Sequence, residues 1–241
     1  MVSDKTTAKA VGAFFLSSYI TNVIGSSYVE SLIFGDETQP QTASNYLTEL
    51  ESHKTMVIFA EVLEIYTAVA LVTIAILMFP IFKRHSENVA RGYLVFRLME
   101  AIMMSITIVL TLSLLSFSEQ YVDNGIVSET YWSRIGNFAV IGRYWAFKMI
   151  LIFLVIGYLI FFYSMYETRI IPRFISIWGV IGVVLVLIAT MLSAFGFSGF
   201  LVTDFPGMLF YILGALNEPF LALWLMVKGF SPSSIALETS A

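Results

Sequence analysis

Glu61, Glu64, Arg97, Glu100, Lys148 and Glu218 are ionisable residues set inside stretches that are otherwise apolar over a helix length. Carboxylates in apolar surroundings can carry protons or hold a cation, and an arginine or lysine beside them supplies the counter-charge. Glu61 and Glu64 are spaced i, i+3, which puts both carboxylates on nearly one helical face. Arg97 and Glu100 share that spacing, and Tyr93, Arg97, Glu100, Met104, Thr107 and Thr111 make one stripe along their helix. Glu218 is followed by Pro219, which cannot donate to the carbonyl of Ala215 and marks a helix kink with a free acceptor. Glu61, Glu64, Arg97, Glu100, Lys148 and Glu218 are therefore the ligand- or proton-binding candidates. Arg143 stands nearer a span end, where a long side chain can reach the outer interface.

Other chemistries have no residues to serve them. The sequence holds no cysteine, which removes disulfides, thiolate metal sites and thiol nucleophiles. Its two histidines, His53 and His85, lie in polar connections, so no buried histidine metal site is expected. No Gly-x-Ser-x-Gly elbow, His-Glu-x-x-His motif or phosphate-cradling glycine loop occurs, and no catalytic residue, metal or cofactor is implied. A net charge of −4 gives no basic face for nucleic acid.

The elements that must position these charges are membrane-spanning helices. Of 241 residues, 58% are hydrophobic and 12% charged, with a mean hydropathy of +0.84, whereas soluble domains carry about twice that share of charge. The apolar runs predict an all-α polytopic transmembrane bundle in a single integral-membrane domain. Its six spans fall near 10–33, 55–82, 91–117, 138–166, 174–197 and 207–228. In the first span Ser18, Asn22, Ser26 and Glu30 recur every four residues, a polar stripe turned inward. Residues 35–54 and 118–137 read as loops on the outer side. Pro80 is expected to end the second span, and a short polar tail follows residue 229.

One side of the spans collects Lys5, Lys9, Lys83, Arg84, Arg91, Arg169, Arg173 and Lys228, against Lys54 and Arg134 on the other. By the positive-inside rule both termini are cytoplasmic, in a plasma-membrane protein. At a rise of ~1.5 Å per residue, Arg97 lies roughly 9 Å and Glu100 roughly 13 Å beyond Arg91. Glu64, Glu100, Lys148 and Glu218 then fall near the middle of the bilayer. In the fifth span Gly179, Gly182, Val186, Ala189, Ser193 and Gly196 form a small-residue seam suited to close helix packing.

The runs Phe79-Pro80-Ile81-Phe82-Lys83, Arg91-Gly92-Tyr93, Arg97-Leu98-Met99-Glu100, Ile171-Pro172-Arg173-Phe174, Asn217-Glu218-Pro219 and Leu223-Trp224-Leu225-Met226-Val227-Lys228-Gly229-Phe230 resemble a family of prokaryotic integral-membrane proteins, domain of unknown function 4386 (DUF4386). The resemblance implies a single six-helix membrane domain in a bacterium or archaeon and no particular activity. Three function classes follow from the residues. A small transporter or proton- or ion-coupled carrier uses the glutamates as binding groups. A non-catalytic lipid-binding, sensory or partner-stabilising subunit uses them as packing. A lipid-modifying enzyme would need a glutamate as general base, and the lack of an intramembrane histidine counts against it. The partners are the lipid bilayer and a small ion or lipid ligand; a homo-oligomer or a partner subunit is compatible with the sequence.

Overall fold

The computed structural model describes residues 4–34, 42–124, 129–197, 199–200 and 205–231. Among them the chain is all-helical: α1 Asp4–Phe34, α2 Ala43–Ser52, α3 Lys54–His85, α4 Glu87–Asn124, α5 Glu129–Thr168, α6 Arg173–Ala194 and α7 Gly207–Val227. Five of these, α3 to α7, contain stretches long and apolar enough to cross a membrane.

The six long helices close into a ring. Each packs against two neighbours in the order α1, α3, α4, α5, α6, α7 and back to α1. Large apolar side chains such as Val69, Ile76, Ile102, Val109 and Ile141 stay exposed on its outside, while Glu61, Arg97, Glu100 and Lys148 are buried within. That inverts the arrangement of a soluble bundle and suits a hydrocarbon solvent.

Two apolar cores fill the ends of the ring. One joins the first half of α1 (Ala8, Val11, Phe15) to the last turns of α3, the start of α4, the second half of α5 and the end of α7. Its centre is aromatic: Phe82 meets Tyr93 at 5.3 Å and Phe161 at 5.7 Å, edge to face, and Phe162 meets Phe161 at 5.3 Å. The other core joins the end of α1 to the starts of α3 and α5 and the end of α4. It is closed by α2, whose Tyr46, Leu47 and Leu50 are buried, with the Tyr46 hydroxyl donating to Asn137 Oδ1 at 3.2 Å.

Three boundaries differ from the sequence reading. Within 35–54, the stretch Ala43–Ser52 is helical because Tyr46, Leu47 and Leu50 share one face and bury it against α1, α3, α4 and α5. Within 118–137, α4 runs on to Asn124 and α5 begins at Glu129, so at ~1.5 Å per residue α5 is about 60 Å long and outreaches a ~30 Å hydrocarbon core. Pro80 does not end α3, which continues to His85 and places Lys83, Arg84 and His85 at its carbonyl end, where the helix dipole favours cations. The tail beyond 231, and Asp36, Glu37 and Gly125 of the two connections, lie outside the described residues.

Short contacts tie the elements at the basic end. Arg84 at the end of α3 forms a two-pronged pair with Asp4 in the first turn of α1, both bonds 2.8 Å. Hydrogen bonding and charge from Arg84 hold the Asp4 carboxyl below the usual carboxylate range. A depressed folded-state pKa stabilises above the unfolded value, about 4, and the contribution is lost as pH falls through the folded value. Asp4→Asn is therefore expected to cost about 0.5 kcal/mol at neutral pH, since the pair is partly solvated. In thermal melts of the purified protein, the gap between variant and parent should close below pH about 4.

The small-residue seam is used inside the ring. A Cβ on Gly182 of α6 would stand 2.8 Å from Gly214 Cα of α7, so two backbones touch where no side chain intervenes. Gly179, Val186, Ala189 and Ser193 are likewise buried. Gly196 lies past the end of α6 in the left-handed region, φ +85°.

Candidate functional site

Between the two apolar cores lies a cavity of about 150 Å³. Its wall is built from five helices. α1 contributes Ser18, Tyr19, Asn22, Gly25 and Ser26; α3 contributes Glu61, Glu64 and Thr67; α4 contributes Arg97, Glu100, Met104 and Thr107. From α5 come Arg143, Phe147, Ile150, Leu151, Leu154 and Tyr158, and from α7 comes Glu218. Of the six residues singled out by sequence, five line this space. The polar stripe of α1 turns to the same interior: Ser18, Asn22 and Ser26 face the cavity and Glu30 lies one turn further on.

The cations are committed to particular carboxylates. Arg97, fully buried, donates from Nη1 to Glu100 Oε2 at 2.7 Å and from Nε to the Tyr93 hydroxyl at 3.3 Å. Its guanidinium carbon sits 4.0 Å from the centroid of the Tyr158 ring, a cation–π contact that replaces part of its lost hydration. Arg97 Nη2 is buried without a hydrogen-bond partner. Glu218 interacts electrostatically with Arg97 and through its carboxylate with Tyr158, but forms no ion pair within 4 Å among the described residues.

Arg143 bridges α1 and α4. It is 9% exposed, donating from Nη2 to Glu30 Oε1 at 2.7 Å and from Nη1 to Thr111 Oγ1 at 2.8 Å. Two acceptors, supplied by α1 and α4, compensate part of its lost hydration. Its Nε is buried and unpartnered.

Glu61 and Glu64 have no such commitment. Both are at least nine-tenths buried, and among the described residues neither makes an ion pair within 4 Å. Glu61 feels Arg143 and Thr111, while Glu64 accepts two long bonds of 3.4 Å from Asn22 Nδ2. The interior thus holds more carboxylate than guanidinium: Glu61, Glu64, Glu100 and Glu218 against Arg97 and Arg143.

Lys148 stands apart from this cluster. It faces α6, where Nζ donates to Ser193 Oγ at 2.8 Å and lies 4.4 Å from the centroid of the Tyr144 ring. Ser193 is the penultimate residue of α6, so the carbonyl end of that helix adds the negative potential a buried ammonium needs. Pro219 lies inside α7, which continues past it to Val227. Lys228 N and Gly229 N then close onto Trp224 and Leu225 carbonyls, with Gly229 at φ +72°. Tyr158, like Tyr19, Thr67 and the apolar residues of α5, is a cavity residue the sequence did not disclose. It sits mid-span, one residue past Gly157, in a run of aromatics that reads as packing. Its one signal is a hydroxyl at a depth where an interface anchor has no water to meet.

A closed helical ring with a lipid-compatible outside and a charged inside is the architecture of a membrane protein, and the five long apolar helices are consistent with one. Within that class the chain belongs to the family described as domain of unknown function DUF4386, which matches residues 10–229. No curated protein and no solved structure matches the chain.

Proposed function

We propose that the protein is a small proton- or cation-coupled carrier, a single six-span domain of the plasma membrane of a prokaryote, with the acidic cavity as its binding site. The observation that carries this reading is the surplus of carboxylate around an internal space: Arg97 and Arg143 pair with Glu100 and Glu30, and among the described residues Glu61, Glu64 and Glu218 face the cavity without an ion pair. A network serving only to fix packing would be expected to neutralise itself. The apolar cores on either side of the cavity are compatible with a site reached alternately from each face. α1 is the sixth crossing: its 31 residues suffice in length, and its polar stripe accounts for its lower hydropathy. The lysine and arginine bias places both termini in the cytoplasm. The alternative of a partner-stabilising subunit loses its main support, since the α6 seam is taken up by α5 and α7.

The absence of cysteine makes the test direct. Met104→Cys and Leu151→Cys place thiols on the cavity wall, Leu221→Cys places one in the dry core, and Ser52→Cys one on the exposed face of α2. With a membrane-impermeant thiol reagent applied to cells and to inverted vesicles, positions 104 and 151 should react from at least one side and position 221 should not. Reaction at position 52 alone would overturn the carrier reading and leave the charges as packing.

A further inference from the structure

The cavity has unlike faces. Glu61 and Glu64 of α3 lie among polar residues of α1 and α4, while α5 adds the apolar line Phe147, Leu151 and Leu154, recurring every three or four positions. Tyr158 ends that line beneath the Arg97 guanidinium. A bare metal ion or alkali cation needs a cage of about six or more oxygens to replace its water shell. Here half the surround is carbon and aromatic ring, and among the described residues no three acidic or histidine side chains converge as a metal site. A cation that carries its own hydrocarbon matches both faces: its charge meets the carboxylates, its methyl or methylene groups meet Phe147, Leu151 and Leu154, and aromatic faces favour such groups. One further feature is independent of the acidic cluster: the space is already formed within the ring, and it has an apolar face on α5. Arg97 and Arg143, which also line it, are held by Glu100 and Glu30.

We propose that the cavity binds a small organic ammonium cation, with Glu61 and Glu64 holding the charge and Phe147, Leu151 and Leu154 covering its apolar body. This assignment deepens the carrier reading and rests on it. Both carboxylates are needed because a single charge is shared between two acceptors one helical turn apart. The site selects by charge and by hydrocarbon together; a neutral molecule of the same shape leaves two buried carboxylates unmet.

Choline chloride tests this against two controls, its uncharged isostere 3,3-dimethylbutan-1-ol and sodium chloride at equal ionic strength. Added to the purified full chain in detergent, choline should raise the melting temperature saturably, as a ligand of the folded state does, and neither control should. Glu64→Gln is expected to raise the half-saturating choline concentration on the order of tenfold or more, and Leu151→Trp, which fills the cavity without touching its charge, should abolish the response. Equal effects of choline and either control, or a Leu151→Trp protein that responds like the parent, would overturn the assignment. Labelling at positions 104 and 151 without a choline response removes the ammonium assignment alone; absence of labelling removes the carrier reading with it.

Discussion

Arg97→Met is expected to lower stability by about 3–5 kcal/mol, because it strands the Glu100 carboxylate in an interior where, among the described residues, Arg97 is its one ion-pair partner. The side chain it removes is fully buried and held on three sides, by Glu100, Tyr93 and the Tyr158 ring. The double variant Arg97→Met with Glu100→Gln should recover most of the loss, since taking away both charges of a buried pair is often nearly neutral. Denaturant titration in mixed micelles, following helix content, reads both. If the single variant matched the parent, Glu100 would have to be satisfied by another group, and the description of Arg97 as its counter-charge would fall.

The ring itself is open to a second large effect. α1 closes onto α7 at Gly12, where an added Cβ would stand 2.6 Å from the Ala222 carbonyl oxygen and 2.8 Å from Met226 Cγ. The first of these is backbone and cannot swing aside. Gly12→Leu must therefore part the two helices, at a cost of about 1–3 kcal/mol or more, and expose the α1 polar stripe that faces the cavity. Gly92 of α4 provides the contrast, since its nearest neighbour is the end of the Ile160 side chain at 3.4 Å. There Gly92→Ala should be neutral or stabilising by up to about 1 kcal/mol through helix propensity. A lower melting temperature for Gly12→Leu beside an unchanged or higher one for Gly92→Ala would confirm that the closure of the ring, and not glycine content, is what matters. Equal behaviour of the two would show that α1 and α7 can separate without cost.

The parts of this architecture that the sequence disclosed are those governed by periodicity. The stripe from Tyr93 to Thr111 and the i, i+3 spacing of Glu61 and Glu64 are properties of one helix, and their side chains lie where the spacing puts them. What it did not disclose depends on contacts between distant segments. The pairing of Arg143 with Glu30 joins residues 113 positions apart, and the turn of Lys148 toward Ser193 depends on where α6 ends. α2 was hidden for another reason: ten residues in which Tyr46, Leu47 and Leu50 turn inward resemble a loop until the ends of four other helices offer them a surface. Tyr158 shows the same limit, since a tyrosine at mid-span is identical in sequence whether it packs on lipid, on phenylalanine or under a guanidinium.

The cavity lies between two apolar cores, with the Arg143–Glu30 pair on the side that α2 closes. In an energised membrane the electrical potential drops across low-dielectric layers, so under the proposed reading a cation reaching Glu61 and Glu64 from either side would move through part of the field. A full elementary charge crossing 100 mV corresponds to ~2.3 kcal/mol, and half that path to about 1 kcal/mol. Occupancy of the proposed site would then depend on voltage, and loading it from one face would be an electrical event even when nothing is released at the other.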